Sequence, residues 1–244
     1  MTETTTTQPG DTPAYADLPD DVRSRLAVAL DIDDLVAATR LARELQPWFG
    51  TAKVGLELYS AAGPDAVVSL AGLGLDVFCD LKLHDIPTTV RRAARVLGAL
   101  GARYLTLHAS GGVSMLRAGV EGLREGAARA DLDEPVPLAV TVLTSEVDAS
   151  EHLLRQRVTA GLDAGCAGFV CAVPDVATVR ELAPAAAIVT PGIRAPGAPV
   201  DDQARVATPQ QALDAGVDLL VIGRPVTDAA DPAGAAEALL GGLR

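Results

Sequence analysis

Residues 77–89 read Val-Phe-Cys-Asp-Leu-Lys-Leu-His-Asp-Ile-Pro-Thr-Thr and combine a buried strand with an unusual set of charges. Successive side chains of a strand point to opposite faces of a sheet. Asp80 and Lys82 are therefore predicted to share one face, with Leu81 and Leu83 on the other. A carboxylate and an ammonium group are costly to bury unless they contact each other or a ligand. The stretch therefore predicts either a solvated strand end with a surface ion pair or a functional site.

The end of this stretch predicts the start of a helix. Asp85 follows the strand, and Pro87 cannot continue it because proline lacks a backbone N–H. Thr88 is then a plausible N-cap for a helix over residues 88–100.

The two lysines of the chain favour a functional site. Of 20 basic side chains only Lys53 and Lys82 are lysines, and the other 18 are arginines. Both lysines lie in apolar, strand-like runs. An ammonium group can release a proton, which a guanidinium group essentially cannot do. The sequence therefore predicts that both positions require a compact, titratable cation.

Composition limits the class of protein. The chain has 244 residues, enough for one large α/β domain, and 49% of them are apolar, but no apolar run approaches the length of a membrane span. A net charge of −12 argues against nucleic acid or an anionic membrane as the main partner. The three cysteines have no metal-ligand spacing, and they are typical of a reduced, cytoplasmic protein.

The N-terminal segment is predicted to lie outside the fold. Residues 1–17 are polar and Thr-rich, and no positively charged start is followed by an apolar stretch, so a secretory signal is not predicted. We expect residues 1–20 to form a disordered tail and residues 21–244 to form a single domain.

From residue 26 onward, short apolar runs alternate with amphipathic segments. Strands are predicted at residues 26–31, 51–58, 77–83, 104–110, 136–144, 168–173, 187–193 and 219–224. Helices are predicted at about residues 33–45, 64–72, 88–100, 113–129, 151–164, 175–182, 208–215 and 232–240. Eight strand–helix units over roughly 220 residues predict an α/β fold, a single-domain (β/α)8 TIM barrel. An open, doubly wound sheet is the alternative, but its G-x-G-x-x-G is missing after the first strand and the acidic turn at residues 31–34 would repel a pyrophosphate.

Polar residues follow most of the predicted strands, at the end where active sites of this barrel lie. They are Asp31, Glu57, Asp80, Lys82, Asp85, His108, Thr141, Thr144, Ser145, Thr190, Arg194 and Arg224, and Lys53 lies near the start of the second predicted strand. Arg194 and Arg224 come from the last two strands, which is the usual position for a phosphate in this fold.

Several of these residues also have a structural explanation. Asp31 could cap the next helix, Glu57 could be an ordinary strand-end charge, and His108 could be a satisfied core histidine. Thr144 could belong to a turn, and Arg224 could face solvent from a tight loop. Their predicted position on one rim favours a shared site over independent structural causes.

These residues make the chain resemble the orotidine 5′-phosphate decarboxylase family. The matching segments are Ala29-Leu30-Asp31, Lys53-Val54-Gly55-Leu56-Glu57, residues 78–89, Thr106-Leu107-His108-Ala109, Val142-Leu143-Thr144-Ser145, residues 189–194 and residues 221–225. The resemblance implies a cytoplasmic lyase of pyrimidine biosynthesis. It also implies that the enzyme converts orotidine 5′-monophosphate to UMP and CO2 without a cofactor or metal, as a homodimer with shared active sites.

The resemblance further implies roles for individual residues. Asp31 and Lys53 would hold ribose hydroxyls, and Lys53 would pair with Asp80, which would lie beside the substrate carboxylate. Lys82 would donate a proton to C6 of the pyrimidine.

The remaining implied contacts involve the partner subunit, the pyrimidine and the phosphate. Asp85 and Thr89 would reach into the site of the partner subunit. The pyrimidine and phosphate contacts would be Thr144 and Pro191 at the pyrimidine, Arg194, Gly223 and Arg224 at the phosphate, and Gln203 in a loop that closes over it. No role is implied for His108.

Two other functions remain open from the sequence. The first is a Mg²⁺-dependent sugar-phosphate decarboxylase or aldolase on the same barrel with a similar D-x-K-x-x-D; Lys53, Gln203 and the segment Pro191-Gly192-Ile193-Arg194 argue for the nucleotide enzyme instead. The second is a catalytically inactive binding or assembly protein. A scaffold of that kind would have no reason to keep a costly charge array at Asp80, Lys82 and Asp85.

Overall fold

The computed structural model describes residues 17–143, 150–195 and 206–243, and within them eight parallel strands close into a barrel. The strands are β1 Leu26–Ala29, β2 Thr51–Val54, β3 Asp76–Leu83, β4 Ala102–His108, β5 Val136–Val140, β6 Gly168–Val170, β7 Ala187–Thr190 and β8 Leu219–Ile222. They pair in chain order, and β1 also pairs with β8. The predicted (β/α)8 barrel is confirmed, and the open doubly wound sheet is wrong.

Helices surround the barrel between successive strands. They are α1 Asp20–Arg23, α2 Leu35–Leu45, α3 Leu56–Ala62, α4 Pro64–Ala71, α5 Pro87–Ala99, α6 Gly112–Arg129, α7 Glu151–Ala164, α8 Val176–Leu182, α9 Pro209–Asp214, α10 Arg224–Thr227 and α11 Pro232–Leu240. The bounds of α7 and α11 are those predicted, and most other helices differ from the prediction by one or two residues.

Seven of the eight strands end earlier than predicted, and only β3 ends where it was predicted, at Leu83. The largest error is in β2, which was predicted over residues 51–58 but ends at Val54. Gly55 is instead the N-cap of α3, a helix that was not predicted, and Glu57 lies in the first turn of that helix. The apolar residues Leu56 and Leu58 continue the strand-like pattern of the sequence, so apolar pattern alone did not locate the end of the strand.

The start of α5 also differs from the prediction. Ile86 is its N-cap and Pro87 is the first helical residue, so Thr88 lies inside the helix and the predicted Thr88 cap is wrong. Proline fits this first position because its missing N–H would have no partner within the helix anyway.

The apolar core has two layers. Side chains inside the barrel form a small cluster that includes Phe78, Leu138 and Val189. A larger layer lies between the barrel and the helices. The three cysteines are buried free thiols, as the predicted core packing required, and burial raises the pKa of Cys79 and of Cys166 to about 12. No helix within the described residues has the length and apolar character needed to cross a membrane.

Close packing of α5 against α6 holds the segment that follows β3. A Cβ atom at Gly122 of α6 would collide with the carbonyl oxygen of Arg91, and one at Gly126 would collide with that of Arg95. The two helices therefore approach at backbone distance, which fixes the position of α5 and of the residues that lead into it.

The packed part of the chain already includes Leu18. Its side chain is 2% exposed, and its N–H donates a hydrogen bond to the carbonyl oxygen of Pro47 at 2.8 Å. Leu18 lies within residues 1–20, which were predicted to be a disordered tail, so the boundary was placed too far into the chain.

We predict that removing residues 1–17 leaves the free energy of unfolding within about 0.5 kcal/mol of the full chain, whereas Leu18→Ala in the full chain lowers it by about 2–3 kcal/mol. The reason is that Leu18→Ala removes apolar contact from the core cluster to which Leu18 belongs. Denaturant unfolding of both proteins beside the wild type measures the difference. A truncated protein destabilised as much as the Leu18 variant would mean that the N-terminal segment contributes to the fold.

Candidate active site

A cavity of about 510 Å³ opens at the C-terminal ends of the strands. Volumes of this size are typical of small-molecule sites. Its apolar lining includes Phe78, Val140 and Val189, and eight of the predicted site residues also line it. These eight are Asp31, Lys53, Asp80, Lys82, Pro191, Arg194, Gly223 and Arg224.

Four of these side chains form an array in which carboxylates and ammonium groups alternate. Lys53 Nζ lies 2.9 Å from Asp31 Oδ1 and 3.8 Å from Asp80 Oδ2, and Lys82 Nζ lies 2.9 Å from Asp80 Oδ1. The side chain of Lys53 is 10% exposed, that of Asp80 17% and that of Lys82 34%. Each charge adjoins one of opposite sign, which offsets part of the cost of burying the array. Asp31 pairs with Lys53, while the cap of α2 is Asp34, so the helix-cap explanation of Asp31 is wrong.

The predicted pairing of Asp80 with Lys82 is present, but regular strand alternation does not produce it. The β3–β4 register shifts between Cys79 and Leu83, and Lys82 has a positive φ of 47°. A non-glycine residue in this region is strained by about 1–3 kcal/mol. The strained backbone belongs to the residue whose ammonium group faces the cavity, so the surrounding structure must hold Lys82 in place.

Thr106 of β4 contacts this strained segment, although no role was predicted for it. Its Oγ1 lies 2.8 Å from the backbone N of Lys82 and 3.1 Å from Asp80 Oδ1. Thr106 is fully buried. The only signal in the sequence was a polar residue inside an apolar strand. A purely structural hydrogen bond to the backbone would explain such a residue as well as a role in the site would.

Gly55 is a second residue of the site for which no role was predicted. A Cβ atom there would lie 2.5 Å from Asp31 Oδ1 and 3.0 Å from Lys53 Nζ. Gly55 has φ −86°, which any residue can adopt, so its constraint is space and not backbone conformation. The absence of a side chain at this position leaves room for the Asp31–Lys53 pair.

The ends of β7 and β8 place two arginines at the cavity. Arg194 is 6% exposed, and one of its guanidinium nitrogens donates to the carbonyl oxygen of Ile193 at 3.0 Å. Arg224 is exposed at the cavity rim, beside Gly223. Two guanidinium groups on adjacent strand ends are suited to binding an anion such as a phosphate.

Four other predicted site residues are not part of this cavity. Asp85 and Thr89 are exposed and absent from its lining, and Asp85 Oδ1 accepts a hydrogen bond from the backbone N–H of Ile86 at 2.6 Å. Thr144 and Gln203 lie outside the described residues.

His108 lies at the end of β4 and contacts its neighbours in the rim. Its ring stacks on that of His84, with centroids 5.6 Å apart, and its Nδ1 lies 2.6 Å from the hydroxyl oxygen of Ser110. The core-histidine explanation is wrong, because His108 is only partly buried.

A closed (β/α)8 barrel with a charged cavity at the C-terminal strand ends defines the class: an enzyme of the TIM-barrel type. The family model described as "Orotidine 5'-phosphate decarboxylase / HUMPS family" matches residues 24–239. The chain belongs to this family, which makes it a carbon–carbon lyase and implies the decarboxylation step of pyrimidine biosynthesis.

Similarity to relatives extends over nearly the whole chain. Orotidine 5′-phosphate decarboxylase of Anaeromyxobacter sp. (strain K) is 46% identical over 231 residues, which cover 90% of this chain and 98% of that protein. The protein of the same name from Moorella thermoacetica is 44% identical, covering 89% and 91% of the two chains. The crystal structure of orotidine 5′-phosphate decarboxylase from Lactobacillus acidophilus is 34% identical with a TM-score of 0.75, covering 88% and 97%.

We predict that Gly55→Ala lowers kcat/KM for decarboxylation by about tenfold or more, because the new methyl group displaces the Asp31–Lys53 pair. Gly242→Ala is the matched control, since a Cβ atom there meets nothing within 4 Å. Steady-state kinetics of both variants, with circular dichroism to verify folding, tests this. Equal activity of the two variants would show that the space beside Gly55 is not needed.

Proposed function

We propose that this protein decarboxylates orotidine 5′-monophosphate to UMP and CO2 without a cofactor, with Lys82 as the proton donor to C6. The observation that carries the proposal is the alternating array of Asp31, Lys53, Asp80 and Lys82, which faces the same cavity as two arginines. The names of the relatives supply the substrate.

The reacting carbon needs electrostatic stabilisation. When the bond from C6 to its carboxylate breaks, the electron pair stays on C6 and CO2 leaves. Without a cofactor to accept this pair, a fixed cation beside C6 is the remaining way to stabilise it. Lys82 suits this role, because its ammonium group lines the cavity and is held 2.9 Å from Asp80.

Lys82 then transfers a proton to C6. An ammonium group can act as a general acid, which a guanidinium group essentially cannot. Asp80 would lie beside the substrate carboxylate, where it fixes Lys82 and repels the carboxylate until CO2 departs.

The phosphate end contributes through binding. Arg194, Gly223 and Arg224 would hold the phosphate, with Pro191 near the pyrimidine, and the predicted contacts of Thr144 and Gln203 belong to the same proposal. Binding energy from a phosphate remote from C6 can position the reacting group and so raise the rate.

A metal-dependent sugar-phosphate lyase on the same barrel is the rival. Both carboxylates of the array already accept contacts from lysine ammonium groups. Among the described residues, no three His, Cys, Asp or Glu side chains are grouped so that they could hold a metal ion. Activity measured after chelation of metal ions therefore distinguishes the two functions.

The proposal includes a homodimer with shared sites, acting in the cytoplasm. Residues 84–89 are all exposed, and Ile86 is 66% exposed although it is apolar. An exposed apolar side chain between Asp85 and Thr89 supports contact with a second subunit. Three buried free thiols support a reducing compartment.

We expect the purified protein to convert orotidine 5′-monophosphate to UMP after exhaustive treatment with EDTA, and Lys82→Arg to be nearly inactive although folded. Arginine keeps the charge but is a far weaker acid and larger. The fall in near-ultraviolet absorbance follows the reaction. An inactive wild type, or one that needs added Mg²⁺, would contradict the proposed function.

We expect Arg224→Ala to lower kcat/KM by about 10- to 100-fold for the phosphorylated substrate and to have little effect on orotidine, which lacks the phosphate. Arg40→Ala, on the exposed face of α2 away from the cavity, is the matched control. Equal losses with both substrates would place the role of Arg224 elsewhere, for example in folding.

We expect Lys82→Ala and Asp85→Ala, each inactive alone, to complement each other in a mixed dimer. One site then carries both defects and the other carries neither, so about half of the wild-type activity returns. Lys82→Ala with Asp80→Ala is the control, because these residues pair within one subunit and each mixed site keeps one defect. Co-expression with two different tags isolates the mixed dimers. An inactive Lys82/Asp85 pair would mean that Asp85 serves its own subunit or that no dimer forms.

A further inference from the structure

We propose that Thr106 is a positioning residue of the reaction: its hydroxyl holds the end of β3 so that Lys82 points into the cavity and Asp80 is oriented beside it. The inference rests on the proposed function and adds a residue to which that function gives no role. Thr106 does not line the cavity, so it would act only through Asp80 and Lys82.

The first observation is the missing backbone partner at the end of β3. Cys79 pairs with Leu105 and Leu83 pairs with Leu107, so the three residues of β3 between these pairs stand opposite Thr106 alone. The N–H of Lys82 donates instead to Thr106 Oγ1 at 2.8 Å. The threonine side chain therefore supplies the acceptor that the irregular strand pairing removes.

The second observation concerns the single proton of this hydroxyl. A threonine hydroxyl donates one hydrogen bond and accepts two. With the Lys82 N–H as donor to Oγ1, the proton can go to Asp80 Oδ1 at 3.1 Å or to the carbonyl oxygen of Cys79 at 3.5 Å. The carboxylate is nearer and charged, which makes it the better acceptor. One hydroxyl therefore bridges the backbone of Lys82 and the carboxylate of Asp80.

The third observation is the backbone conformation that this bridge maintains. Lys82 has φ 47°, a backbone conformation that is strained for any residue other than glycine. Its Nζ lies 2.9 Å from the same Asp80 oxygen that faces Thr106. The N–H bond fixes the backbone of Lys82, and the carboxylate bond fixes the partner of its ammonium group. Without the hydroxyl, the partly buried N–H of Lys82 has lost its acceptor, and we expect the segment to relax toward an unstrained conformation.

The test compares Thr106→Val, which keeps the shape and removes the hydroxyl, with Thr106→Ser, which keeps the hydroxyl. We expect Thr106→Val to lower kcat for orotidine 5′-monophosphate by about 100-fold with KM changed less than about threefold, because the phosphate-binding end is untouched. Thr106→Ser should stay within about fivefold of the wild-type kcat. Thr51→Val is the matched control: Thr51 is also a fully buried strand threonine, at the far end of β2, and its hydroxyl has no hydrogen-bond partner among the residues that the structure describes.

Each outcome decides the inference. A Val variant as active as the Thr51 control, or a Ser variant as inactive as the Val variant, would overturn it. A parallel loss in kcat and in UMP affinity would also overturn it, since that pattern indicates a general loss of structure. If Thr106→Val does not fold, Thr106→Ala removes the hydroxyl without adding a methyl group beside Asp80 and takes its place in the comparison. An inactive wild type would contradict the proposed function itself, which distinguishes the two failures.

Discussion

The position of Asp80 is the constraint on which the site depends, because its carboxylate lies between the only two lysines of the chain. The carboxylate is largely buried, and removing one partner of a buried ion pair typically costs about 3–5 kcal/mol. Lys53 and Lys82 therefore hold Asp80, and Asp80 in turn fixes both ammonium groups. The barrel serves this arrangement by placing β2 and β3 side by side, so that their ends bring the three charges together.

The fold was largely predictable because strand–helix alternation is a repeated signal, and an error in one unit leaves the count of units unchanged. The ends of strands were less predictable, as β2 shows: Leu56 and Leu58 look like strand residues, yet they belong to α3. Gly55, the N-cap of that helix, lies against Asp31 and Lys53, and such a tertiary contact is not contained in the local sequence pattern.

The site was predictable where a residue type was itself unusual. The scarcity of lysine pointed to Lys53 and Lys82, and the structure brings both to one carboxylate. Thr106 was different, since a single threonine in an apolar strand is common. Its contact with the N–H of Lys82 exists only because β3 and β4 lose their regular register there, and the positive φ of Lys82 is likewise a result of tertiary structure.

The order of groups around the rim explains why a closed barrel matters for the proposed substrate. Arg194 follows β7, Arg224 follows β8, Asp31 follows β1, and the lysines come from β2 and β3. Because β8 pairs with β1, this sequence of groups is continuous in space: two guanidinium groups, then the Asp31 carboxylate, then the lysines with Asp80. Under the proposed function, these groups would contact the phosphate, the ribose and the base, respectively. A nucleotide presents phosphate, ribose and base in the same order. In an open sheet with β1 and β8 at opposite edges, the phosphate-binding and reacting ends would be separated, and phosphate binding could not position C6 against Lys82.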